Sequence, residues 1–200
     1  MNDHSQAVAE GPSTRDTILT AALACFTERG FHGTSVPAIA REAGLAPSSL
    51  YRHFESKEAL VNELYRSLKG RLMSALAPAL QGELEPRAIF RRFWHRLVQL
   101  ARESPEVIVF LEHHHHGDYL DEASQQLEER TFEPFYAILA TEPARAALAP
   151  LPPEATMAIV WGAFSGLFRA HRLGHLDWDD ALLAETEDRV WRAIRRDESR

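Results

Sequence analysis

With 200 residues, 45% of them hydrophobic, the chain is long enough to bury a sizeable core in one or two domains. A formal net charge of −7 argues against a non-specific coat for nucleic acid, and the single cysteine, Cys25, excludes an internal disulfide. Leu, Ala, Arg and Glu dominate and no alternating β-branched run exceeds a few positions, so the chain is expected to be all-α.

Residues 1 to 12 are small and polar and are expected to form a disordered arm. They lack the apolar core of a signal peptide, and no later run reaches membrane-spanning length, so a cytoplasmic protein without membrane contact is expected. Ser13 or Thr14 opens a helix whose stripe is Ile18, Leu19, Ala22, Leu23 and Phe26, and Gly30 ends it. Cys25 lies on this apolar helix, where a buried, inert thiol is expected.

The stretch Thr34 to Lys57 carries the chain's clearest geometric signal. Thr34 is placed to cap a short helix that packs through Val36, Ile39, Ala40 and Ala43. Gly44 supplies the left-handed residue that turns the chain, and a second helix opens at Pro47, Ser48 and Ser49. Leu50 and Phe54, four apart, face inward, which leaves Ser48, Ser49, Arg52 and His53 outward. A helix-turn-helix is expected, with a polar face at the start of its second helix, where base edges are met. From Arg29 to Lys57 four basic residues stand against two acidic ones, so this stretch is locally positive on an acidic chain.

Ser56 caps a fourth helix carrying Leu60, Leu64, Leu68, Leu72 and Leu76 until Pro78. Its length suits a lever shared by two domains. After a linker at Gln81 to Glu85, Pro86 begins a helix with Ile89, Phe90, Phe93, Trp94, Leu97 and Val98. Ser104-Pro105-Glu106 opens the next, which is apolar through Leu111 and runs into four histidines before Gly117. Asp118 to about Ala140 reads as one long helix that Pro134 should kink or break. Pro143 to Pro153 reads as a loop or short turn. Glu154 to about Leu173 forms a helix stopped by Gly174, and Asp177 or Asp179 caps the last, which carries Leu182, Leu183, Thr186, Val190, Trp191 and Ile194. The total is about nine helices.

The run Gly30 to Lys57, G-F-H-G-T-S-V-x-x-I-A-x-x-A-G-L-x-x-S-S-L-Y-R-H-F-x-S-K, resembles the DNA-binding region of TetR/AcrR-family transcriptional regulators. With the flanking helices the resemblance covers about a third of the chain. It implies a helix-turn-helix domain at residues 13–58 and a helical effector-binding and dimerisation domain at 59–200. It implies base-edge contacts from Pro47, Ser48 and Ser49, with Arg52 a further candidate for guanine. Phosphate contacts are implied for Thr34, Tyr51, His53 and Lys57. A palindromic DNA operator, a homodimer and a small-molecule effector are the implied partners, repression is the implied action, and no cofactor is called for.

The expected effector pocket is mostly apolar, built from Phe90, Phe93, Trp94, Phe110, Phe135 and Trp161, with His113, His116 and Tyr119 as polar groups. Trp161, Phe164, Phe168, Trp191 and Ile194 are the candidate dimer surface. His113 and His116, three apart, share a helix face and form a possible metal pair, though solvated or pocket-lining histidines are the simpler reading. The alternative functions are a helical small-molecule or metal sensor without DNA function, and an enzyme using the histidine run. Against the enzyme, Gly162-Ala163-Phe164-Ser165-Gly166 is out of register for a nucleophile elbow and lies in a helical pattern.

Overall fold

The computed structural model describes residues 13–81, 85–113 and 119–197, with the backbone alone at His113. The expected arm at 1–12 and the histidines after His113 lie outside them. Among the described residues the fold is all-α, with no strand and a single isolated bridge between Leu148 and Arg195. The helices are α1 (Thr14–Gly33), α2 (Val36–Glu42), α3 (Pro47–Tyr51), α4 (Lys57–Leu76), α5 (Pro86–Glu103), α6 (Pro105–His113), α7 (Glu122–Thr131), α8 (Glu133–Leu139), α9 (Glu142–Ala147), α10 (Pro153–Arg172) and α11 (Asp180–Ile194).

Two of these exceed the expected nine, and proline accounts for both. The long helix expected across 118–140 is broken at Phe132 (φ −100°, ψ 0°), because Pro134 has no N–H and its ring clashes with the carbonyl four residues back. Pro143 opens α9 where a loop is expected, since a proline suits the first turn of a helix.

Start signals elsewhere act as the sequence indicates. Ser13 and Asp16 form a reciprocal capping box on α1, Ser56 accepts from the N–H of Ala59 at 2.9 Å to start α4, and Asp179 accepts from the N–H of Leu182 at 2.7 Å to start α11.

The apolar interior divides into two clusters along α4. The first joins Ile18, Ala22 and Phe26 of α1 to Ile39, Leu50, Phe54 and the first half of α4 through Leu68. The second begins at Leu72 and takes in α5 together with the inward faces of α8, α10 and α11. The first cluster reaches beyond the N-terminal helices, since Val107 and Phe110 of α6, with Leu120, are buried in it. Phe110 is fully buried 6.5 Å from the Phe26 ring. Cys25 is buried there too, and burial pushes its thiol pKa up, in keeping with an inert thiol.

Candidate nucleic-acid interface and effector cavities

The geometry of the N-terminal unit is set by the end of α1. The helix breaks at Gly30 (φ 69°, ψ 174°), a conformation that glycine tolerates, and the chain folds back to bury Phe31. Such an end leaves carbonyls in need of donors. The Thr34 hydroxyl lies 2.8 Å from the Gly30 carbonyl and 3.0 Å from that of Cys25, and donates to them. From the first turn of α4, Lys57 Nζ donates to the carbonyls of Phe31 (2.9 Å) and Thr34 (3.0 Å) and sits 4.1 Å from the Phe31 ring centroid.

These contacts correct the expected phosphate role of the Thr34 hydroxyl and leave the half-buried Lys57 one donor for a phosphate. Thr34 is 2% exposed and its one hydroxyl proton is spent inside the protein. Lys57 has committed two of its three donors, so it fastens the α1–α2 turn to α4. Nor does Thr34 cap α2. Ser35 does, its hydroxyl accepting from the Ala38 N–H at 3.4 Å, and Ser35 is exposed. The sequence reading missed it by one residue, because two adjacent hydroxyl residues are equally plausible caps.

The turn itself follows its residues. Gly44 has φ 68°, the N–H of Leu45 reaches back to the Ala40 carbonyl at 2.8 Å, and that of Gly44 reaches Arg41 at 3.1 Å, which together close α2. Leu50 and Phe54 are buried at 0% and 5% exposure, pinning α3 against α1 and α4. On the other side Pro47, Ser48, Tyr51, Arg52 and His53 are exposed and Ser49 is half-buried. Within the described residues the side chains of Ser48, Ser49, Tyr51, Arg52 and His53 make no hydrogen bond or ion pair, so their polar groups are available to a partner.

Comparison with known proteins matches this architecture over nearly the whole chain. The family model for bacterial regulatory proteins of the tetR family matches residues 18–64, and that for the tetracyclin repressor-like C-terminal domain matches 66–196. The chain belongs to the tetR family. It is 37% identical over 82 residues to the HTH-type transcriptional regulator UidR of Escherichia coli, covering 41% of each chain. It is 36% identical over 123 residues to the HTH-type transcriptional repressor KstR2 of Mycobacterium tuberculosis, covering 60% of this chain and 56% of that one. The chain thus spans about half the length of these curated relatives. Among solved structures, a TetR family transcription regulator from Marinobacter aquaeolei superposes with a TM-score of 0.82 at 22% identity, covering 92% of this chain and 96% of that one. A putative TetR family regulator from Vibrio parahaemolyticus gives 0.73 at 26% identity, covering 92% and 100%.

Side chains of α4 also hold the segment that follows the histidines. Asn62, 2% exposed, donates to the carbonyls of Glu58 (2.9 Å) and Tyr119 (2.8 Å) and accepts from the N–H of Asp121 (2.8 Å). Arg66 donates to Asp121 (3.0 Å) and Ser124 (2.9 Å) and pairs with Glu63 (3.2 Å). Segment 119–121 is thereby bound to α4, and the Tyr119 ring stacks on Phe31 with centroids 4.2 Å apart.

The expected pocket residues separate into four places. Phe90, Phe93 and Phe135 line an apolar cavity of about 70 Å³ bounded by α5, α8, α9, α10 and α11. Trp161 lines a second cavity, of about 270 Å³, with Lys69 of α4, Glu112 of α6 and Glu128 of α7. Trp94 is buried between α5 and α10 against Phe164, at 6.1 Å, outside both of these cavities. Phe110 and Tyr119 belong to the first cluster, which corrects their assignment to the pocket. Apolar character alone could not say which of two cores a residue joins. The His113 side chain and His116 lie outside the described residues, and no group of three metal-ligating residues occurs among the described ones.

Three of the five candidate dimer residues, Phe164, Phe168 and Ile194, are corrected as well. They are at most 3% exposed in the chain's own core, while Trp161 and Trp191 are half-buried against the two cavities. The outer face of α10 instead presents Ile159 (38% exposed) and Gly162, with Leu173 (62% exposed) just past the helix end.

Proposed function

We propose that this protein is a homodimeric transcriptional repressor released from a palindromic DNA operator by a small-molecule effector. The observation that carries the reading is the contrast within the helix-turn-helix. The buried Thr34 hydroxyl and two donors of the half-buried Lys57 are spent on the scaffold, whereas Ser48, Ser49, Tyr51, Arg52 and His53 are held outward with their donors unused. A packing hairpin has no need of such a face. Pro47, Ser48 and Ser49 at the start of α3, with Arg52, suit base edges, and Tyr51 and His53 suit phosphates.

One helix-turn-helix reads few base pairs, so two must be held about one helical turn, roughly 34 Å, apart. The outer face of α10 is our dimer surface. Gly162 and Gly166 are one turn apart there, and a Cβ at either would meet nothing within 4 Å, which leaves room for a second copy to approach. An effector in the second domain can release DNA only through its differential affinity for the two arrangements of α4.

Footprinting on the DNA flanking the chain's own gene tests this reading. Protection of two half-sites related by a two-fold axis is expected, and failure of selected random-sequence DNA to bind at all would overturn it. Within a bound operator, Arg52→Ala should cost about 1 to 3 kcal/mol at one base position and little elsewhere. Tyr51→Phe should weaken every sequence about equally.

A further inference from the structure

Lys69 is the least satisfied cation on α4. Its side chain is 9% exposed, yet its ammonium makes no hydrogen bond among the described residues, and the nearest carboxylate oxygen, Glu128 Oε1, stands 3.8 Å away. Its other neighbours are ring faces, Tyr65 at 5.3 Å and Phe132 at 5.8 Å to the centroids. Burial lowers its pKa, opposed by the charges of Glu128 and Glu112. Three N–H donors on so covered a side chain, with no acceptor at hydrogen-bond distance among the described residues, are costly unless something else supplies one. What they adjoin is the cavity of about 270 Å³ among α4, α6, α7, α8 and α10.

The surrounding charges say which ligand head fits. Glu128 is 54% exposed at the side chain and Glu154 is exposed, so both can turn to water at little cost. Glu112 is occupied, its carboxylate accepting from Trp161 Nε1. Lys69 cannot turn away. Glu128, which also faces the Tyr65 hydroxyl, is the anion that can leave Lys69, while Glu112 stays as a fixed carboxylate of the same wall with Trp161 as its donor. The remaining wall is apolar, aromatic at Phe132, Tyr136 and Trp161 and aliphatic at Leu72, Leu111 and Met157. At about 30 Å³ per water the space equals some nine waters, hence a ligand of about ten non-hydrogen atoms. Met157 also borders the apolar cavity, so a longer carbon chain has somewhere to go.

We propose that this cavity binds a small apolar carboxylate, whose head takes the place of Glu128 on Lys69 and whose body lies on Phe132, Tyr136 and Trp161. The proposal rests on the effector-responsive reading above and names the class of effector. Because Lys69 is one turn beyond the last α4 residue bound to segment 119–124, pairing there pulls on the helix that carries the reading unit.

The test uses the full-length protein and calorimetric titration with 3-phenylpropionate, its amide and 3-phenylpropylamine, together with straight-chain carboxylates from hexanoate to decanoate. At least one carboxylate should bind tenfold or more tighter than its neutral amide. Lys69→Met should abolish that preference, and Glu128→Gln, at an exposed site that leaves folding intact, should tighten the carboxylate severalfold. The amine binding tightest, equal affinity of acid and amide, or no carboxylate binding to the Glu128→Gln protein at millimolar concentration each overturns the proposal. Operator binding is measured on the same samples. If DNA is bound but no carboxylate is, the ligand class alone falls, whereas carboxylate binding without operator recognition sinks the regulator reading and leaves the site.

Discussion

The two halves of α4 differ in how their inward-facing polar side chains are met, while the exposed Arg71 of the second half pairs outward with Ser104 and Glu106. Through Arg66 nearly every one is committed: Lys57 to two carbonyls, Asn62 to three backbone groups, and Arg66 to Glu63, Asp121 and Ser124. One turn later Lys69 is as deeply buried and makes no hydrogen bond among the described residues. The first half is thus fixed to the DNA-reading unit and to segment 119–121, while the second borders open space and an unmet demand for an acceptor. A helix rigid at one end and unsatisfied at the other can convert binding at the second into displacement at the first.

The largest blow to the first half should come from Asn62→Ala. It strands the part-buried Tyr119 carbonyl and Asp121 N–H, and a buried group left unpaired costs about 1 to 3 kcal/mol. We expect a loss of about 3 kcal/mol in denaturant unfolding, and a loss below about 1 kcal/mol would mean segment 119–121 is not anchored there. Lys57→Met should follow at about 2 kcal/mol, since charge-assisted bonds to the Phe31 and Thr34 carbonyls are lost but part of the packing over Phe31 is kept. The salt dependence of operator binding should change by less than one full phosphate contact, because this ammonium is already engaged. A full unit of slope would restore it to the phosphates.

The second half should respond in the other direction. Lys69→Met replaces a buried, poorly paired charge with an apolar chain of similar length, so stability should be unchanged or rise by about 1 kcal/mol. A loss of several kcal/mol would show that the ion pair with Glu128 holds the helix, and the contrast between the halves would collapse.

This contrast also marks how far the sequence can be read. Gly44, Pro47, Leu50 and Phe54 announce the turn and the inward pair, because backbone conformation and helical spacing are local properties. The Leu60 to Leu76 stripe shows that α4 is amphipathic, but not that Val61, Asn62, Tyr65 and Lys69 are covered too. That depends on α1, α6 and α7 wrapping the helix, a contact made across tens of residues. Lys69 carried one faint signal, lying four residues after Tyr65 and three before Leu72 within a single arc. Phe110 carried none, since its neighbours in the chain are as apolar as those of Phe90, and only the tertiary structure assigns one to each core.

The smallest effect belongs to the acid limb of the stability curve. Glu63 joins α1 to α4, accepting from Arg15 at 2.9 Å and from Arg66 at 3.2 Å. The Arg15 hydrogen bond, opposed by burial and aided by Arg66, holds its carboxyl below the ordinary value of 4.5. A carboxylate with a depressed folded pKa stabilises the protein above the unfolded pKa and loses that contribution as pH falls through the folded one. Glu63→Gln should therefore flatten the decline of stability below about pH 4.5. Its cost at neutral pH should be under about 1 kcal/mol, because the Arg15 side chain is 45% exposed and the pair is screened by water. Asp121 is also held low, burial pushing it up but hydrogen bonds from Ser124 and Arg66 outweighing that, so an acid decline must remain in the variant. Urea midpoints of both proteins between pH 3 and 7 measure the difference. Parallel curves across that range would mean that Glu63 is no better paired in the folded chain than in the unfolded one, and that α1 is held to α4 by its apolar face alone.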